Sequence, residues 1–115
     1  MIESLLINYL KACHLDAGNH IYAEVPAEDV PDTYVIIQKT GSGRADFIDE
    51  AVVAVQSIAP TLYEAASLNE AVKAAVLEFP DHSCDIFDVC LNSDYNFTNT
   101  NTKEHRYQAV FNIYY

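Results

Sequence analysis

The sequence predicts an α+β fold, two helices packed on one face of a mainly antiparallel sheet in the order α-β-β-β-α-β-β. Three observations predict it. Apolar residues recur at helical spacing at the start of the chain and again after Pro60. Runs rich in Val, Ile and Tyr lie between and beyond these helices, separated by Gly, Pro, Asn and Asp. The strands also come in groups, so helices do not alternate with single strands as they would around a parallel sheet. At 115 residues, 50% of them apolar, the chain fits a single domain spanning 1–115 that buries its own core without metal or disulfides.

Ile2, Leu5, Leu6, Tyr9, Leu10 and Cys13 form an apolar stripe, with Glu3, Asn8 and Lys11 elsewhere, so the chain opens with an amphipathic helix. Asp16 to Asn19 supplies turn chemistry, and His20 to Val25 is a short β-favouring run before Pro26. Pro26 to Asp32 suits an irregular loop. Thr33 to Lys39 reads as a strand, Thr40-Gly41-Ser42-Gly43 breaks it, and Phe47 to Ala59 reads as its hairpin partner. Ala51, Val53 and Val55 alternate there with Val52, Ala54 and Gln56, leaving both faces largely apolar and placing this strand centrally. Pro60 ends it. Thr61 caps a helix whose inner side holds Leu62, Ala65, Ala66, Asn69, Val72, Val76 and Phe79, and Pro80 stops that helix. Asp85 to Leu91 and Glu104 to Tyr115 read as the last two strands, joined by the polar stretch Asn92 to Lys103. In the final strand Tyr107, Ala109, Phe111, Ile113 and Tyr115 share the core side, while Arg106, Gln108 and Asn112 point away. Because it ends the chain, that strand is a candidate sheet edge open to another subunit.

Seventeen acids against six lysines and arginines give a formal charge of -11. Affinity for nucleic acid comes mainly from cations on phosphates, so this balance argues against tight DNA binding. Solubility alone is the simpler meaning of the acidity. The apolar stretches are too short to span a bilayer and Met1-Ile2-Glu3 lacks the basic start of a signal peptide, so a soluble intracellular chain without membrane contact is expected. Cys13, Cys84 and Cys90 are odd in number and follow no paired motif, which predicts buried free thiols.

Catalytic and ligand motifs are thin. Gly41-Ser42-Gly43-Arg44 lacks the G-K-[S/T] ending of a phosphate loop, a G-x-G-x-x-G match fails at Asp46, and Ser42 does not fit G-x-S-x-G. His82, Cys84 and Cys90 lack a fourth ligand at zinc spacing, and His14, His20 and His105 are scattered, so no metal or cofactor is expected. Asp81, Asp85 and Asp88 surround the same cysteines, disfavouring a reactive thiolate. The acids at 46, 49 and 50 and at 81, 85 and 88 read as solvated faces, with contacts to Arg44, Lys73, Lys103 or Arg106 of other subunits as the alternative. The glycosylation pattern at Asn96 has no weight without a secretory signal.

IYAEVP at 21–26, YVIIQKTGSG at 34–43, LYEAASLNE at 62–70, LNSDYNFT at 91–98 and RYQAVFNIYY at 106–115 together resemble the small tail-completion or tail-terminator proteins of long-tailed phages and prophages. The resemblance implies a non-enzymatic α+β subunit of the virion tail that assembles in the host cytoplasm. It implies a ring, typically a hexamer, that ends growth of the tail-tube protein and meets head-tail connector proteins, with DNA passing through unheld. Loops carried on a rigid sheet are the natural contact elements of such a subunit. On that ground Gly41, Ser42, Gly43, Arg44, Asp46 and Asp49 of the hairpin, Asn92, Asp94, Tyr95 and Phe97 of the polar stretch, and Arg106 are the candidate assembly residues. Ordinary loops without partners are the alternative. Two other functions stay open: a small enzyme or ligand-binding domain using His82 and Cys84, and a non-viral protein-interaction module.

Overall fold

A computed structural model of the chain describes residues 2–13, 15, 20–24, 31–45, 48–83, 86–96 and 105–115. Helix α1 (Ile2–Ala12) buries Ile2, Leu6 and Leu10, which recur at four-residue spacing on one side. Glu3 in its first turn and Lys11 in its last oppose the ends of the helix dipole. Strand β1 is Ile21–Tyr22, shorter than the run to Val25 predicted, and pairs in parallel with the next strand through Ile21 to Val35 and Tyr22 to Ile36.

Strands β2 (Tyr34–Ala45) and β3 (Ile48–Ala59) form a long antiparallel ribbon. Its register corrects the expectation that Thr40 to Gly43 breaks the strand. Gly41 pairs with Val52, Ser42 with Ala51, Gly43 with Glu50, Arg44 with Asp49 and Ala45 with Ile48. Turn-forming residues are weak breakers when a neighbouring strand offers a ladder of hydrogen bonds. The cost is taken up as a bulge between Lys39 and Gly41.

Helix α2 (Leu62–Leu77) is capped by Thr61, whose hydroxyl accepts from the Glu64 N–H at 3.2 Å. It buries Ala65, Leu68, Asn69, Val72 and Val76, while Leu62 is exposed. Pro80 sits in the first turn of a further short helix, α3 (Phe79–His82), where its missing N–H loses no bond. The observed order is therefore α-β-β-β-α-α-β-β.

Strands β4 (Asp88–Asn96) and β5 (His105–Tyr114) pair from Asp88 with Tyr114 to Asn96 with Tyr107. β4 starts later than predicted and runs through Asn92 to Asn96, which the polar composition had assigned to a connection. A bulge between Leu91 and Ser93 again marks the irregularity. The sheet order is β1-β2-β3-β5-β4. β3 is central. β5 lies between β3 and β4, which overturns the expectation of an edge: its apolar alternation is matched by neighbours on both flanks.

Helices α1 and α2 cover one face of this sheet. Val35 and Ile37, Ala51, Val53 and Val55, and Ala109, Phe111 and Ile113 point into one core with Leu6, Leu10, Leu68, Val72, Val76 and Phe79. Among the described residues no helix is long and apolar enough to cross a membrane.

Candidate functional site

Alternation along β3 and β5 decides what the other face of the sheet presents. With odd-numbered residues committed to the core, Val52, Ala54 and Gln56 and Arg106, Gln108, Val110, Asn112 and Tyr114 stand on the face without helices. One end of this face holds a small apolar cluster, Tyr34, Ile36 and Ile58, each at most 2% exposed, with Tyr22 against it. The middle is a hydrogen-bonded row across three strands. Arg106 Nη1 donates to Gln56 Oε1 at 3.2 Å, Gln56 Nε2 to Gln108 Oε1 at 2.9 Å, and Gln108 Nε2 to the Tyr95 hydroxyl at 2.6 Å. A second row links Asn92 Nδ2 to Asn112 Oδ1 at 3.2 Å and Asn112 Nδ2 to Glu50 Oε1 at 3.5 Å.

Beyond the second row the face opens into a groove of about 490 Å³ beside Gly41 and Gly43, with Ile48, Glu50, Val52 and Tyr114 around it. A Cβ on Gly43 would meet nothing within 4 Å, and one on Gly41 would meet only the Val52 Cβ at 4.0 Å; neither residue has the positive φ that favours glycine. Glycine inside a strand costs about 0.5–1 kcal/mol relative to alanine. Here the fold of the single chain gives no packing reason for it.

The candidate assembly residues divide between the two faces and the ribbon. Gly41, Ser42, Gly43, Arg44 and Asp49 lie on the paired ribbon, with Arg44 Nε 3.7 Å from Asp49 Oδ1 and both side chains open to water. Asn92, Tyr95 and Arg106 meet on the helix-free face. Asp94 does not join them, because the bulge at Asn92 shifts the phase of β4 and pairs Asp94 with Ala109, on the core side. There its Oδ2 takes the Lys73 ammonium at 2.6 Å and the Asn69 amide at 3.4 Å. Asp94 first and Glu70 second hold the Lys73 pKa above its ordinary value. Asp46 and Phe97 lie outside the described residues.

Sequence reasoning placed Arg106, Gln108 and Asn112 on the outward side but missed Gln56, Glu50 and Tyr114 as their neighbours. Gln56 was the detectable one, a long amide within an otherwise apolar run. Register across strands brings it to Gln108, and register is not written in either strand alone.

The alternative chemistry finds a different setting from the one expected. Cys90 is exposed, not buried, because β4 is an edge strand; its thiol lies 4.0 Å from the Asp88 carboxylate. Cys13 is half-buried, and Cys84 and Asp85 lie outside the described residues. The His82 ring stacks on Tyr9 at 6.0 Å. Among the described residues no group of three His, Cys, Asp or Glu is placed to hold a metal ion.

No protein-family model matches the chain, and no curated protein matches it in sequence. In structure it is similar to a chain from the virion of the native gene transfer agent (GTA) particle, with a TM-score of 0.78 over 98% of this chain and 92% of that one, at 16% sequence identity. At that identity the two chains share a fold, over nearly their whole lengths.

Proposed function

We propose that the chain is a structural subunit of a phage-like virion, a tail-completion or tail-terminator protein that acts by assembly and not by catalysis. Copies form a ring, a hexamer in the resembled family, at the head-proximal end of the tail tube. The ring ends polymerisation of the tube protein and joins it to head-tail connector proteins. The protein takes no cofactor and resides in the virion tail, assembling in the host cytoplasm.

The observation that carries this reading is the end-to-end likeness of its fold to a chain of a virion particle. A fold alone hosts many functions, so the site must agree. It does so in kind: a sheet face without helices bears a polar network, a groove and two glycines. The charge of -11 also suits a ring through which DNA passes, since phosphates are repelled and not paired. On this reading Gly41 to Arg44, Asp49, Asn92, Tyr95 and Arg106 meet other subunits, as do Asp46 and Phe97, while Asp94 holds α2 to the sheet.

Electron microscopy of lysates from the parent phage or prophage, with this gene deleted, tests the reading. Filled heads separated from tails, or tails of uncontrolled length, are expected. Normal infectious virions would overturn it.

A further inference from the structure

β1 covers the outer edge of β2 only at Val35 and Ile36, so among the described residues the outward backbone groups from Ile37 to Ala45 have no strand beside them. Residues 38–44 are exposed there, Gly41 alone being half-buried. The bulge after Lys39 shifts the phase of this edge, so that Gly41 faces Val52 and Gly43 faces Glu50 on the helix-free side. The Thr40 hydroxyl closes the bulge by donating to the Val52 carbonyl at 3.2 Å. The groove of about 490 Å³ therefore runs back from the open edge over two glycines to Val52, Glu50 and Tyr114. Among the described residues the Glu50 carboxylate in it meets only the Asn112 amide, at 3.5 Å.

We propose that the open edge of β2 is a docking site for an extended strand of a different polypeptide, one that sets a bulky apolar residue opposite Gly41 and a Lys or Arg opposite Gly43; that the donor is another virion component rests on the function proposed above. Unpaired edge groups accept an added strand through its main chain, and pockets for alternate side chains make the pairing selective. A glycine on an edge strand leaves room for a large cross-strand side chain to lie over it. Over Gly41 such a side chain reaches Val52, and over Gly43 an extended Lys or Arg carries its charge to Glu50, beside Tyr114. The charge of -11 favours a basic partner in the same direction. A second copy does not fit. In this sequence Tyr9-Leu10-Lys11 and Ile37-Gln38-Lys39 are the two places where a bulky apolar residue stands two positions from a Lys or Arg, and they are held in α1 and in β2 itself.

The test titrates the full chain with two peptides, Thr-Thr-Thr-Phe-Thr-Lys-Thr-Thr and its reversed sequence, which together cover both strand directions. One of them is expected to bind by NMR and to protect the amides of Ile37 to Ala45 from exchange while leaving those of β4 unchanged. Glu50→Gln is expected to weaken that peptide about tenfold, and to leave the binding of a peptide with norleucine in place of lysine unaltered. Gly43→Val, whose Cβ meets nothing within 4 Å, is expected to melt as the natural chain does and to weaken the peptide as well. No binding of either peptide at millimolar concentration, or binding that spares the β2 amides or is indifferent to both variants, overturns the docking site and leaves the virion reading to the gene-deletion experiment. Protection of Ile37 to Ala45 that grows with protein concentration in the absence of peptide would overturn the assignment to a different polypeptide.

Discussion

At the scale of single residues, burial separates two carboxylates that look alike in the sequence. Asp49 and Arg44 are 3.7 Å apart with side chains 50% and 66% exposed, a geometry worth little in water. Asp94 instead holds Lys73, whose side chain is 16% exposed, and the amide of Asn69, which is 1% exposed. Asp94→Ala is expected to lower the unfolding free energy by about 1–2 kcal/mol, because it leaves the largely covered Lys73 ammonium with Glu70 alone and removes the partner of a buried amide. Asp49→Ala is expected to change it by less than about 0.5 kcal/mol. Urea titration of the two variants measures the difference, and equal effects would refute this ranking. Neither acid's role was legible in the sequence, since the bulge that turns Asp94 toward α2 is a property of pairing. Leu68 was missed for a related reason. The alanines of α2 make several faces almost equally apolar, and the phase that wins is set by the sheet beneath.

At the scale of elements, the end of α1 and the body of α2 are tied by one phenol. The Tyr9 hydroxyl donates to the Ala75 carbonyl at 2.7 Å, and its ring stacks on Phe79 at 4.6 Å. The start of α2 depends on the Thr61 hydroxyl, so Thr61→Ala is expected to cost about 1 kcal/mol by urea titration, and Thr61→Ser far less. Equal losses in the two variants would count against the capping account. The helices were legible in the sequence because caps, prolines and apolar spacing all act locally. The strand limits were not. Gly41 to Gly43 carries turn chemistry and Asn92 to Asn96 carries loop composition, yet both pair as strands, since a partner strand outweighs local preference and an edge strand needs few apolar residues. The central position of β3 was legible from its two apolar faces, whereas the interior position of β5 depended on which strand came to lie beyond it.

At the scale of the whole molecule, two groups that hold their protons more tightly in the folded state make its stability fall at high pH. Burial, with Cys13, Glu78 and Asp81 adding to it, raises the Tyr9 pKa well above the ordinary tyrosine value, and Asp94 and Glu70 raise that of Lys73. Groups raised in this direction stabilise fully below their unfolded pKa values of about 10 and lose that stabilisation as pH climbs through the folded values. Thermal melting is therefore expected to decline above about pH 10, and Tyr9→Phe to reduce the steepness of that decline; an unchanged slope in the variant would remove Tyr9 as a cause. The same two-layer build has a consequence for any larger object made from it. Among the described residues the helices that cover the sheet lie on one side of it, so copies set edge to edge keep these helices on a common side and their helix-free faces on the other. Such a wall has an obverse and a reverse. Each residue of the helix-free face that is not buried, Glu50 and the Gln56–Gln108 pair among them, is repeated around one surface, and a single substitution there recolours that whole surface while leaving its opposite untouched.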